Sequence, residues 1–230
     1  MSLWGHERTS IAGTEAFEVY SLRDTIAQMR ALGTGKKLKT DGKTPIARSL
    51  ATERLCLRGA EADDAPAMNA AVLASWAELS RWMEWAQGVR PTTPDIIDQI
   101  GRREADFESR SEFRFSIFEK RAGTFIGNCS LFRFDWTVPR GEIGYWCSTE
   151  WVGHGYITEA VLALTKLAWS LGLVRVEIRC DAKNLRSRAV AERAGFAFEG
   201  VLKNECRNPQ GLLRDSCVFA QIPDVASITC

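Results

Sequence analysis

Glu142-Ile143-Gly144-Tyr145-Trp146-Cys147 followed by Trp151-Val152-Gly153-His154-Gly155-Tyr156 is the stretch that decides the fold. The first segment reads as a strand. The second carries two glycines one residue apart, and a long amphipathic segment follows. The apolar stripe Ile157, Ala160, Val161, Leu164, Leu167, Ala168 and Leu171 keeps a 3.6-residue period, and Gly172 ends it. The order is therefore strand, glycine-rich loop, helix. Such a loop exposes consecutive backbone N–H groups at a helix N-terminus, where the macrodipole adds positive potential, so it suits a phosphate. The glycine pair lacks the third glycine of a dinucleotide fingerprint and the Gly-Lys-Ser/Thr ending of a nucleoside-triphosphate loop. Taken alone, it fits a tight turn equally well.

Working outward, Val174 to Cys180 is a second strand, which makes Glu142–Cys180 a strand–helix–strand unit with parallel strands and a right-handed crossover. Asn184 caps a short helix through Ala194, closed by Gly195. Phe196 to Leu202 and Leu213 to Ile222 supply two further strands. Upstream, Arg54 to Arg58 alternates as a strand, and residues 63–87 read as a helix carrying Trp76, Trp82 and Trp85. Thr93-Pro94-Asp95 starts another helix, with Thr93 as its cap, running to Glu108. Phe113 to Glu119 and Thr124 to Phe134 form an antiparallel hairpin around Arg121-Ala122-Gly123. The sum is a mixed α/β (α+β) sheet of about seven strands flanked by helices.

Residues 1–48 are expected to be an N-terminal extension and linker, and 49–230 the main domain. Leu22, Ile26 and Met29 keep helical spacing after Ser21, which pairs with Asp24 as a cap; the stretch packs on the domain or mediates self-association, as in a homodimer. The polar run through Lys36-Lys37-Leu38-Lys39 to Pro45 reads as linker.

The 230 residues are 45% hydrophobic and carry a net charge of +1, so a sizeable core is expected and nothing in the total charge argues for a nucleic-acid surface. Seven cysteines form no Cys-x-x-Cys pair, and the only histidines are His6 and His154, so no metal site is expected. The cysteines read as small buried hydrophobes in a reducing, cytoplasmic setting. No apolar run is long enough to span a membrane, so no membrane partner is expected.

Four stretches in this order carry a family resemblance: Thr52–Arg58, Gly141–Trp146, Trp151–Ala160 and Asn184–Phe196. From Ser49 to Ile222 the chain resembles the GNAT (Gcn5-related) N-acetyltransferases, and within them the RimJ/RimL type. The resemblance implies the GNAT acyl-CoA N-acyltransferase fold, with acetyl-CoA as donor and its pantetheine arm between the fourth and fifth of the seven strands. Backbone groups of Trp146, Cys147 and Ser148 would pair with that arm. The loop Val152, Gly153, His154, Gly155, Tyr156 and Ile157 would wrap the pyrophosphate, and Asn184 would bind the pantetheine side. Glu150 occupies the position where the family's loop pattern opens with Arg or Gln, and a carboxylate does not help phosphate binding.

The chemistry needs a neutral amine, a polarised thioester and a protonated leaving thiolate. Glu142 is the first candidate base, or else a strand glutamate contacting an arginine. Glu205, after the sixth strand, is a second candidate, with Cys206 as the alternative occupant of that position. Ser187 is the candidate acid for the thiolate, or a support for its helix turn. A backbone N–H beside Cys147 would polarise the carbonyl. An acetyl-cysteine intermediate on Cys147 is discounted, because no histidine partner is nearby in the sequence. Trp82 and Trp85 are candidate acceptor-binding residues or core, as is Tyr145. The implied activity is acetyl transfer to a primary amine: an N-terminal α-amino group of a ribosomal or other protein, or alternatively a small amine of a metabolite or antibiotic. A reading from another class is an acyl-CoA sensor without turnover.

Overall fold

The computed structural model describes residues 46–223. The expected helix around Leu22–Met29, the linker lysines, His6 and Cys230 lie outside these residues. Eight strands form one sheet in the order β1-β2-β3-β4-β5-β6-β8-β7. They are β1 (Ser49–Ala51), β2 (Leu55–Arg58), β3 (Glu112–Glu119), β4 (Phe125–Asp135), β5 (Arg140–Cys147), β6 (Arg175–Asp181), β7 (Ala197–Arg207) and β8 (Leu213–Gln221). All neighbours are antiparallel except β5 and β6, which are parallel. The strand absent from the sequence reading is β1, three residues with no pattern of their own, held by pairing with β2.

The helices are α1 (Ala65–Ala74), α2 (Trp76–Trp82), α3 (Thr93–Glu108), α4 (Tyr156–Ser170) and α5 (Leu185–Arg193). On one face of the sheet α4 lays its predicted stripe on Leu131, Ile143, Val176, Ile178 and Phe219, and α5 adds Ala191. Burial of these side chains contributes roughly 1.5–3 kcal/mol each and fixes where α4 begins relative to the strands. On the other face Met68 of α1 and Ile96 of α3 meet Phe118 and Phe125, while Val72 and Leu79 form a smaller cluster, and Trp146 touches both groups.

Two expectations need correction. The segment 63–87 is two helices, ending at Trp82. The helix breaks at Ser75, whose buried hydroxyl accepts from the Thr149 N–H at 2.9 Å. The second helix stops because Met83 is extended and the Gln87 side chain donates to the Ser80 carbonyl at 2.9 Å, satisfying a terminal acceptor. Trp85 is therefore beyond the helix. The cap of α3 is Thr92, not Thr93: Thr92 Oγ1 accepts from the Asp95 N–H, and the Asp95 carboxylate accepts from the Thr92 N–H at 2.8 Å. That reciprocal pair is a capping box, and it places Thr93-Pro94 inside the first turn, where proline's missing donor costs nothing.

Candidate active site

The parallel pairing of β5 with β6 runs only from Arg140↔Arg175 to Glu142↔Glu177. Beyond that, β5 stays paired with β4 through Gly127↔Cys147 while β6 stays paired with β8 through Asp181↔Ser216. The two strands thus part, and they are the fourth and fifth strands of the sequence reading. Residues on a strand send their N–H groups alternately to opposite edges. The Ser148 N–H donates to Ile126 O of the chain leading into β4, at 2.8 Å. By alternation the Trp146 N–H also points to β4, and the Cys147 N–H faces the open edge toward β6. Of the three residues expected to pair with the pantetheine arm, Cys147 alone offers its backbone to the gap. Its own thiol is pushed up to about 11 by burial, which disfavours the thiolate a nucleophile needs.

At the far end of β5 a short 3-10 turn (Thr149–Trp151) leads into the glycine loop. Gly153 and Gly155 have φ of 89° and 78°, a left-handed conformation that other residues adopt only at a cost of about 1–2 kcal/mol. From Gly153 to Thr158 no backbone N–H finds an acceptor among the described residues. Val152 precedes this run, and within it Ile157 is an anchor in the core. His154 stacks on Tyr156 at 5.8 Å between ring centroids. The site sets a row of donors at a helix N-terminus beside an unpaired strand edge, which fits a diphosphate joined to an extended arm.

Arg54 braces this loop. Its Nη1 donates to the His154 carbonyl at 2.9 Å, its Nε to Glu159 Oε2 at 2.7 Å, and its guanidinium lies 4.7 Å over the Tyr156 ring. Burial acts to raise the Glu159 carboxyl, but hydrogen bonds from Thr52 and from the Arg54 backbone and side chain outweigh it and hold the group below its usual value.

Across the gap, Asn184 Oδ1 accepts from the Ser187 N–H at 3.1 Å, so Asn184 caps α5 as read from the sequence. Tyr145 packs on the α4 side. Its hydroxyl donates to the Ser187 carbonyl at 3.0 Å and lies 3.1 Å from Ser187 Oγ. It therefore stands with Ser187 and not with Trp82 and Trp85. Burial pushes the Cys180 thiol to about 11, with a partly opposing hydrogen bond from Ser187.

The opposite face of the sheet carries the carboxylates. Glu142 sits at the last paired position before the strands part, with its side chain only 12% exposed. Burial raises its carboxyl despite Arg133 at 3.1 Å and Arg179 at 3.9 Å. The bulge between Phe132 and Asp135, with Arg133 at φ 52°, delivers that arginine. Glu205 lies within β7, not after it, because a second bulge lets the strand continue to Arg207. Its carboxylate accepts from Ser216 Oγ at 2.8 Å, and hydrogen bonds from Ser216 and Cys206 hold it below its usual value. Arg179 joins the two, with Nη1 3.7 Å from Glu205 and Nη2 2.8 Å from Glu177. A cavity of about 180 Å³ lies here, lined by Arg133, Asp135, Arg140, Glu142, Glu177 and Arg179. On the same face of the sheet, toward the end of β5, Trp85, 51% exposed, meets Trp146 at 6.1 Å, while Trp82 Nε1 donates to Glu78 at 3.1 Å. The ion pair Arg186–Glu78, 3.4 Å, ties α5 to α2.

Sequence reasoning missed Arg54, Ser75 and Arg179. Arg54 stood in a quoted stretch, but its partner Glu159 is 105 residues away, a pairing no local pattern reveals.

The family model described as Acetyltransferase (GNAT) domain matches residues 54–197. The chain belongs to the GNAT acetyltransferases and is an acetyl-CoA-dependent N-acetyltransferase. Its likeness is to the RimJ/RimL type. YdaF of Bacillus subtilis (strain 168), whose name places it among ribosomal N-acetyltransferases, is 32% identical over 66% of this chain and 82% of its own. The ribosomal-protein-serine acetyltransferase of Escherichia coli (strain K12) is 30% identical over 56% of this chain and 70% of its own. Among solved structures, Mycobacterium smegmatis RimJ in complex with CoA-disulfide is 26% identical with a TM-score of 0.66, covering 74% of this chain and 82% of that one. Among the described residues no helix is long and apolar enough to cross a membrane.

Proposed function

We propose that the acceptor is the N-terminal α-amino group of a ribosomal or similar protein, and that residues 49–230 are the catalytic domain with 1–48 an extension. The observation that carries this reading is Glu142, a largely but not fully buried carboxylate standing where β5 and β6 part, its pKa raised by that burial. A lysine amine, pKa about 10.4, costs roughly 4–5 kcal/mol to deprotonate at pH 7, whereas an α-amine at about 7.7–8.0 costs only about 1 kcal/mol. A carboxylate with a raised pKa, working through water, therefore faces a smaller demand from an α-amine than from a lysine. The relatives named for ribosomal proteins support the same acceptor.

Bound acetyl-CoA supplies an activated acyl group. The N–H groups of Gly153 to Ile157 hold its diphosphate, and Asn184 and the Cys147 edge hold the arm. The Cys147 N–H donates to the thioester carbonyl, an interaction of about 3 kcal/mol where such a donor is fixed in place. Glu142, roughly 16 Å along β5 from Cys147, accepts the amine proton through a chain of waters. Ser187 Oγ donates to the departing sulfur, supported by Tyr145. Glu205, kept ionised by Ser216, orients Arg179 and leaves the base role to Glu142. Trp82, Trp85 and Trp146 line the acceptor's path.

Acetyl-CoA turnover with an α-amino peptide panel, a lysine-only panel and small amines tests this. Faster turnover of free N-terminal peptides is expected. Turnover of small amines alone would replace the acceptor, and tight CoA binding without turnover would mark a sensor.

A further inference from the structure

The glycine loop lacks a basic residue where a diphosphate site gains from one, since Glu150 stands there. It also has a second carboxylate in the first turn of α4, Glu159. Both oppose an anion. We infer that Arg54, from the far side of the sheet, is the positioning residue that makes the loop an anion seat; this rests on the loop being the diphosphate site proposed above.

A trans peptide points its C=O and its N–H in opposite directions. Arg54 Nη1 holds the His154 carbonyl at 2.9 Å, which turns the N–H of Gly155 away from Arg54. In the sheet order β2 and β6 lie on opposite sides of β5, so the N–H is left facing the side of the gap. The left-handed residues Gly153 and Gly155 bring the neighbouring N–H groups to the same side, as in a backbone nest. The same guanidinium neutralises Glu159 through Nε at 2.7 Å, with Thr52 and the Arg54 N–H as further donors to that carboxylate. Its stacking over Tyr156 fixes its plane. Nη2 lies 3.5 Å from where a Gly155 Cβ would be, so the guanidinium also closes the back of the loop. One side chain thus aims a donor, cancels a repulsive charge and limits the loop's freedom.

The test separates the nucleotide end of the cosubstrate, which carries the diphosphate, from its acyl-bearing arm. CoA affinity is measured by calorimetry, and kcat/KM is measured for acetyl-CoA and for S-acetylpantetheine, which lacks the diphosphate. In Arg54→Ala, CoA binding weakens about tenfold or more, the scale of a charge-assisted hydrogen bond, and the preference for acetyl-CoA over S-acetylpantetheine falls by a similar factor. Arg54→Lys keeps a charge beside Glu159 but loses the planar fork. It is expected to fold with little change in Tm and still lose most of the preference. Equal losses on both substrates, or unchanged CoA affinity in both variants, would overturn the role of Arg54 while leaving the diphosphate seat intact. A wild-type protein that binds no CoA would overturn the seat and the inference together.

Discussion

Gly127→Ala is the sharpest structural test of the gap. Gly127 lies on β4 opposite Cys147, and a Cβ built on it would stand 2.2 Å from the backbone oxygen of Trp146. Real Cβ atoms essentially never come under 3.0 Å, so the strands must part by 0.8 Å or more at this point. The obstacle is main chain, so no rotamer change relieves it. Two consequences follow. Overpacking of this kind costs about 1–3 kcal/mol, which for a chain of this size lowers Tm by roughly 2–12 °C. The displaced segment is the one whose Cys147 N–H faces the thioester, and a misplacement of about 1 Å costs on the order of a hundredfold in kcat. Thiol release from acetyl-CoA gives kcat and a thermal melt gives Tm. The control is Gly101→Ala, in the interior of α3 with nothing within 4 Å of its added carbon; it should leave kcat alone and raise stability by up to about 1 kcal/mol. A Gly127→Ala protein with wild-type kcat and Tm would refute the placement of that strand edge.

Three further outcomes are expected. Ser187→Ala lowers kcat by about a hundredfold, the lower end for a placed proton donor, with CoA affinity from calorimetry little changed; an unchanged rate removes Ser187 from the chemistry. Gly155→Val abolishes CoA binding in the same calorimetry, because a β-branched residue at φ 78° is strained and its side chain would press on the Arg54 guanidinium that braces the loop; retained affinity shows the loop is misassigned. Glu142→Gln removes a base whose ionised form is the active one. The wild-type kcat/KM should rise with pH along an acid limb lying above the ordinary carboxylate range, because burial raises this group, and the variant should lose that limb. The stability sign is the reverse: the folded state holds this proton more tightly than the unfolded one. Its contribution is therefore full below the unfolded pKa and lost as pH rises through the folded pKa. The melting temperature of Glu142→Gln should match or exceed wild type at pH 7, and a large loss there would mean the charge is structurally required.

The elements with a clear period were legible from the residues. The stripe of α4, the alternation in β3 and the Asn184 cap all rest on local chemistry that tertiary contacts reinforce. The break at Ser75 was not legible, because its cause is the Thr149 N–H, 74 residues away. Nor was the length of β7, where the bulge between Leu202 and Cys206 hides the alternation and an exposed edge leaves no apolar pattern to read. Site residues in sequence-contiguous motifs could be named. Arg179 and Arg54 could not, since each acts through partners on distant strands or helices. Tyr145 could be read as facing either side of the sheet, and its hydroxyl's contact with Ser187 on a helix 42 residues on resolves which.

The most direct test of the whole account is a crystal structure with coenzyme A. The diphosphate oxygens should lie within hydrogen-bond distance of the N–H groups of Gly153 to Ile157, with the arm along the open edge of β5 at Cys147 and the sulfur beside Ser187. A nucleotide bound at another surface, or β5 and β6 zipped together along their full length, would contradict it.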